Sequence, residues 1–330
     1  MKISVIGDGG WGTAIALLLH GYGHKVTVWG PFADYLDEIK SCGQNSRYLP
    51  GVKIPDSLEW TNDETVAAAA DCVVLAVPSR FYASVCSRFA GKIPTTTPVV
   101  SLTKGLCEST HQRMSEIAAA TLNNNNIVVL SGPSHAEEVA RGIPTAVVAA
   151  THNHSLAVQI QELFSGPRFR VYTSPDPLGV ELGGAIKNVI AIAVGASDGL
   201  GFGDNTRAAI ITRGLAEMTR LGVALGALPE TFAGLSGTGD LIVTCTSRHS
   251  RNRSVGERLG KGESIQQILD SMKMVAEGVW NAKAVRSIAT AHNVDVPISA
   301  EVCRLCYENA SAADSVTNLM SRDMKPESAT

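Results

Sequence analysis

The amino-acid sequence predicts an α/β fold, a doubly wound sheet followed by an all-helical C-terminal domain. Three observations carry this. Short β-branched runs alternate with helix-like stretches through the first half, a glycine cluster joins the first run to the first helix, and no strand pattern recurs after Pro175-Asp176-Pro177. Strands that are apolar almost throughout, each separated by a helix, imply a parallel sheet covered on both faces.

Taken in order, Ile3 to Ile6, Lys25 to Trp29, Cys72 to Val77, Val99 to Leu102, Ile127 to Leu130 and Ala146 to Ala149 read as buried strands, with a shorter one at Phe169 to Tyr172. Between them Trp11 to His20, Ala33 to Ser41, Glu64 to Ala70 and a stretch from His111 to Leu122 read as helices. Beyond Pro177 the pattern is helical: Glu181 to Gly195, Asn205 to Leu221, Val255 to Leu259, Ser264 to Met272, Val275 to Ile288 and Ser299 to Glu308. The expected domains are therefore 1–177 and 178–330, with a frayed tail from Ser321.

Bulk properties narrow the function classes. The 330 residues are 45% hydrophobic and 18% charged, which describes a compact globular chain. A net charge of −3 gives no electrostatic case for nucleic acid or an anionic membrane. The cysteine count of 7 is odd and the residues are scattered, so free thiols are expected, and the Cys303/Cys306 pair reads as helix packing rather than a metal site. A strand at the N-terminus in place of a signal peptide, and the lack of a long uncharged apolar run, make a cytoplasmic protein with no membrane insertion the expectation.

Gly7-Asp8-Gly9-Gly10-Trp11-Gly12 fits G-x-G-x-x-G directly after the first strand and opens a helix. In that context the glycines allow a tight turn and let a pyrophosphate approach the helix N-terminus, the Rossmann-type dinucleotide signature. The acid that usually ends the second strand and binds ribose hydroxyls is missing: the strand ends Val28-Trp29-Gly30-Pro31, with no arginine for a 2′-phosphate. NAD and NADP both stay open, and Asp34 is the nearest carboxylate, in a helix.

Lys187 lies within an apolar helical segment where an ammonium would lose hydration. It is either a reactive acid/base or a lysine snorkelling to the surface. Asp240, in Gly237-Thr238-Gly239-Asp240-Leu241, is either a helix N-cap or a partner for such a lysine. Arg248-His249-Ser250-Arg251-Asn252-Arg253-Ser254 precedes a helix and could cradle phosphate or lie solvated. Lys104 and the run Ser131-Gly132-Pro133-Ser134-His135 follow the fourth and fifth of these strands, at the carboxyl edge where such sheets bind ligands. His135 reads as a loop residue packed beside the cofactor. Arg213, Glu217 and Arg220 share a helix face and read as a solvated or interface stripe.

Together with Asn45-Ser46-Arg47-Tyr48-Leu49-Pro50-Gly51, Lys187-Asn188, Ser250-Arg251-Asn252-Arg253 and Val275-Ala276-Glu277-Gly278, these segments resemble the bacterial NAD(P)-dependent glycerol-3-phosphate dehydrogenase family from Met1 to about Glu308. The resemblance implies reversible reduction of dihydroxyacetone phosphate to sn-glycerol 3-phosphate, for glycerophospholipid synthesis, with Lys187 as the proton donor or acceptor and no metal. It implies a substrate site of Lys104, Gly132, Ser134, Lys187, Asp240, Ser250, Arg251 and Asn252. For the dinucleotide it implies Gly7, Gly9, Gly10, Trp11, Gly12, Pro31, Tyr48, Lys104, Ala136, Arg251, Val275 and Glu277. Two positions depart from the family pattern: Gly10 stands where serine is common, and Gly30-Pro31-Phe32 stands where basic or polar residues often follow the second strand. A β-hydroxyacid or ketopantoate dehydrogenase with the same two-domain plan is the alternative enzyme, and a dinucleotide sensor without turnover the alternative class. The apolar helical domain suggests a homodimer.

Overall fold

The computed structural model describes residues 1–272, 274–324 and 326–327. It divides into two compact units, Met1–Lys104 with Gln112–Pro177, and Gly105–His111 with Leu178–Thr330.

The first unit holds an eight-stranded sheet in the order β3-β2-β1-β4-β5-β6-β7-β8. Its strands are β1 (Lys2–Ile6), β2 (Lys25–Trp29), β3 (Glu59–Thr61), β4 (Cys72–Leu75), β5 (Val99–Ser101), β6 (Ile127–Ser131), β7 (Thr145–Ala150) and β8 (Phe169–Ser174). Helices α1 (Gly10–Gly21), α2 (Ala33–Cys42), α3 (Glu64–Ala68), α4 (Ser79–Phe89), α5 (Met114–Leu122), α6 (Ala136–Ala140) and α7 (His154–Phe164) connect them. Strand residues such as Val5, Val28, Val74, Val100 and Val128 are wholly buried, as a sheet covered on both faces requires.

One part of the sheet departs from expectation. Strands β1 to β6 pair in parallel, but β7 runs antiparallel to β6, and β8 follows β7. Residues 132–144 join β6 to β7, and the chain re-enters the sheet at the edge it left. Four elements of this unit were not anticipated: β3, α4, α6 and α7. The buried side chains Tyr82, Cys86 and Phe89 of α4 recur at i, i+4 and i+7, a helical signal diluted by the polar residues between them.

The second unit is helical: α8 (Pro177–Gly199), α9 (Asp204–Ala224), α10 (Pro229–Ala233), α11 (Asp240–Thr246), α12 (Arg251–Gly260), α13 (Ile265–Ser271), α14 (Glu277–Ala291), α15 (Pro297–Tyr307) and α16 (Ala312–Met320), with a π-helical turn at Leu235–Gly239. By length and composition α8 could cross a membrane, yet 89% of its most apolar window is buried inside the protein. The loop Gly105–His111, expected in the first domain, packs with this unit, and the Leu106 N–H donates to Asn281 Oδ1 at 3.1 Å.

Glycines set how the helices surround α8. A Cβ at Gly195 would overlap the Arg253 carbonyl, and one at Gly256 the Ile192 carbonyl. Gly199 and Gly260 meet in the same way further along. Small residues four apart on both helices let the backbones touch, and the pairing runs in parallel: Asn252 beside Asn188, Gly256 beside Ile192, Gly260 beside Ala196. This carries the N-terminus of α12 to the middle of α8. Gly278, in the first turn of α14, abuts the Asn188 carbonyl, so that helix starts at the same place.

Of the stripe expected on α9 as solvated or interfacial, Arg213 and Arg220 stay partly exposed, but Glu217 turns inward. Glu217 is 2% exposed and reaches α15, where Oε1 accepts from the Ile298 N–H at 2.5 Å and Oε2 from the Ser299 N–H at 3.1 Å. A carboxylate satisfying the first donors of another helix is a tertiary N-cap, which spacing along α9 could not reveal. Cys303 and Cys306 are buried free thiols on α15.

Candidate active site

In the first unit, the turn after β1 is built for close approach. Gly7 has φ +124, and a Cβ there would collide with Ala76; one at Gly12 would collide with the Gly7 carbonyl. At Gly9, the N-cap of α1, the same Cβ would meet nothing within 4 Å. No side chain caps α1 and its first turn carries no acid. The positive end of a twelve-residue helix thus has open space beside Gly9, which fits a pyrophosphate.

Residues far apart in sequence brace this turn. Asn45 is fully buried; its Nδ2 donates to the Asp8 carbonyl and to Thr13 Oγ1, both at 2.8 Å. Its Oδ1 accepts from Tyr35 Oη at 2.5 Å and from the Tyr48 N–H at 3.1 Å. The clamp lays Tyr48 over the glycine turn so closely that a Cβ at Gly10 would overlap the Tyr48 carbonyl, which accounts for glycine rather than serine there. Ala136, at the start of α6, lies near the same place, its Cβ 3.9 Å from a Cβ built on Gly10. Pro31, half-buried, follows the end of β2. His135 caps α6 with extended backbone rather than sitting in an open loop.

At the carboxyl edge of β5 and β6, Lys104 Nζ donates to the Gly132 carbonyl at 2.7 Å and to Ser134 Oγ at 3.3 Å. Ser134 Oγ donates to the same carbonyl at 2.8 Å. Gly132 has φ +142, and its missing Cβ would press on Val147, so glycine is needed at this position. Three expected site residues therefore share one cluster.

The second unit resolves the alternatives for Lys187. The residue is 5% exposed, and its Nζ lies 2.7 Å from Asp240 Oδ1 and 2.7 Å from Thr244 Oγ1. It does not snorkel. Asp240, 1% exposed, is the first residue of α11 rather than its N-cap, which is Gly239. Thr244, one turn on, donates back to the Asp240 carbonyl at 2.6 Å and presents its lone pair to the ammonium. Desolvating two charges is costly even when they pair, so stability alone gives little reason for this arrangement. Thr244 escaped the sequence reading, although its i+4 spacing from Asp240 was a usable signal.

The Arg248–Ser254 run is only partly what it suggested. Ser250 is the N-cap of α12, accepting from the Arg253 N–H at 3.2 Å, and Arg251 stands exposed at the first helical position. Arg253 is committed elsewhere: its guanidinium grips Asp198 Oδ2 at 2.7 Å, while Arg207 holds the other oxygen at 2.9 Å. Asn252 is a junction. Its Nδ2 donates to Asn188 Oδ1 at 2.9 Å, and its Oδ1 accepts from the Gly278 N–H at 2.9 Å, leaving one amide N–H for a ligand. That bond puts Val275 and Glu277, beside the N-terminus of α14, next to the start of α12.

Comparison with known proteins identifies the family. Residues 2–157 match the N-terminal family model of NAD-dependent glycerol-3-phosphate dehydrogenase, and residues 176–317 match its C-terminal model. A glycerol-3-phosphate dehydrogenase [NAD(P)+] of Fusobacterium nucleatum is 47% identical, covering 99% of this chain and 98% of its own. One of Pelotomaculum thermopropionicum is 48% identical over 97% of this chain and 93% of its own. The crystal structure of glycerol-3-phosphate dehydrogenase from Coxiella burnetii superposes with a TM-score of 0.92 at 38% identity, covering 97% and 99% of the two chains. A ketopantoate reductase of Ralstonia eutropha, at TM-score 0.63 and 14% identity, shares the fold alone. The chain belongs to the NAD-dependent glycerol-3-phosphate dehydrogenase family.

Proposed function

We propose that this chain catalyses the reversible, NAD(P)-dependent reduction of dihydroxyacetone phosphate to sn-glycerol 3-phosphate. The observation that carries the reading is a lysine held inside an apolar helix by Asp240 and Thr244, each at 2.7 Å. When bound, the nicotinamide cofactor supplies the hydride to the C2 carbonyl or removes it from the alcohol. The protein's task is the proton. Lys187 as an ammonium stabilises the charge that builds on the carbonyl oxygen and then gives up a proton to it; in the reverse direction neutral Lys187 takes the alcohol proton. Such assistance contributes roughly 10²–10⁴ in rate. Asp240 favours the charged form of the lysine against the burial that opposes it, and Thr244 fixes the direction of Nζ.

Ser250 and Arg251, at the N-terminus of α12, are assigned the phosphate group together with the remaining amide N–H of Asn252. Lys104, Gly132 and Ser134 are also assigned to the substrate. Gly7, Gly9, Gly10, Trp11 and Gly12, with Pro31, Tyr48 and Ala136, are assigned the dinucleotide, joined by Lys104, Arg251, Val275 and Glu277. On this reading 1–177 is the dinucleotide domain and 178–330 the catalytic one. We further assign a homodimer, supported by exposed apolar side chains in the helical unit such as Phe202, Leu228 and Ile242, and a cytoplasmic role in supplying glycerophospholipid synthesis.

Steady-state assays with dihydroxyacetone phosphate, ketopantoate and an unphosphorylated hydroxyacid test the proposal. Turnover confined to the phosphorylated substrate is expected. Preference for either of the others would overturn it.

A further inference from the structure

The carboxylate missing from the end of β2 has a counterpart one strand away. The turns after β1 and β2 lie side by side, with the Gly7 N–H donating to the Trp29 carbonyl at 2.9 Å. A Cβ placed on Gly30 would lie 2.5 Å from Asp8 Oδ2 and 2.8 Å from Asp8 Cγ. The Asp8 carboxylate thus fills the volume that a side chain at Gly30 would enter. Dinucleotide-binding sheets use that place for an acid that accepts hydrogen bonds from the adenine ribose hydroxyls. Here the glycine and the acid have exchanged strands.

We infer that Asp8 is the ribose-binding acid of this chain and sets its cofactor preference to NAD over NADP. The inference rests on the dinucleotide site proposed above and names its selectivity. Asn45 holds the Asp8 carbonyl at 2.8 Å, so the backbone carrying the acid is fixed in advance. An ionised carboxylate accepts from a 2′-hydroxyl and repels a 2′-phosphate. The residues that follow Gly30 add no cation: Pro31 and Phe32 precede Ala33, and Phe32 is exposed. Arg47 is the opposing group. Its guanidinium stacks over the Tyr35 ring at 4.7 Å; burial raises the Asp8 carboxyl above its ordinary value, and the Arg47 charge is among the groups that oppose that shift and favour the carboxylate. A 2′-phosphate would have to recruit Arg47 while lying against Asp8, whereas a 2′-hydroxyl needs only the carboxylate.

The test compares NADH with NADPH, by binding titration and by kcat/KM with dihydroxyacetone phosphate, for the wild type, Asp8→Asn, Asp8→Ala and Arg47→Ala. Both cofactors are measured on one preparation, so the ratio does not depend on the folded fraction. We expect the wild type to favour NADH at least tenfold, and both Asp8 variants to bring the ratio to within about threefold of unity, chiefly by gaining NADPH. A wild type that prefers NADPH and loses it in Arg47→Ala would overturn the inference, as would an unchanged ratio in Asp8→Asn. If the chain fails to reduce dihydroxyacetone phosphate with either cofactor, the titrations still report the ratio, so the two failures are told apart.

Discussion

Asn252 and Asn188 exchange a hydrogen bond of 2.9 Å between residues 64 apart in sequence, and that bond puts the first turn of α12 beside the lysine. Asn188 is the residue after Lys187, and Asn252 is two residues after the N-cap Ser250. On the proposed function, proton chemistry and phosphate binding would be tied through one pair of amides.

Lys187→Met should reduce kcat by at least 10² while leaving dinucleotide affinity within a few-fold. It should also destabilise the protein by about 3–5 kcal/mol, because Asp240 is left buried without its partner. Adding Asp240→Asn should recover much of the melting temperature and none of the activity. Substantial turnover in either variant would remove Lys187 from the reaction.

Thr244→Val keeps the shape of the side chain and loses its bond to the ammonium. A hydrogen bond to a charged group is worth about 1.5–3 kcal/mol, so kcat should fall roughly tenfold or more. KM should stay within about threefold, and the pH profile of kcat/KM should move because the lysine has lost a neighbour. A fall in stability with an unmoved pH profile would make Thr244 merely structural.

Gly256→Ala and Gly9→Ala form a contrasting pair. The first forces a methyl into the Ile192 carbonyl and should cost about 1–3 kcal/mol; because it separates α12 from α8, KM for dihydroxyacetone phosphate should rise. The second enters open space at an N-cap with φ −71, so the melting temperature should hold. Its methyl would stand where a pyrophosphate approaches, and KM for the dinucleotide should rise. The opposite pattern of melting temperatures would discredit the glycine contacts described for both loci.

Burial pushes the Glu217 carboxyl up to about 7, against an ordinary 4.5, while the Ile298 and Ser299 donors oppose the shift. The folded state then binds a proton that the unfolded state has lost between those values. Its stabilising contribution is full below about 4.5 and is lost as pH rises through about 7. Thermal melts of the wild type and Glu217→Gln from pH 4.5 to 8 should show the wild type losing ground relative to the variant as pH rises. Parallel curves would mean that Glu217 is ionised throughout.

The parts of this chain legible in sequence are those where one local pattern decides. The β-branched runs, the glycine turn and the apolar helix around Lys187 each carry their signal within a dozen residues. Direction along the sheet was not local: β7 runs against β6, and the residues of β7 itself read the same either way. Side-chain partners across helices were equally hidden. Arg253 looked like a phosphate ligand because its pairing with Asp198 spans 55 residues, and Glu217 looked solvated because its partners sit on α15. Lys187 was visible as an anomaly, and Thr244, one turn on from Asp240, was found only once the fold was in hand.

The burial of α8 also constrains how the chain is made. Its glycine-lined faces are covered by Arg251–Gly260 and Glu277–Ala291, which leave the ribosome long after it does. At roughly 5–20 residues per second, an apolar segment of membrane-spanning length stays uncovered for several seconds in each round of synthesis. Its buried ammonium and the Glu181 carboxylate, solvated at that stage, mark the nascent segment as a poor substrate for membrane insertion until its partners arrive.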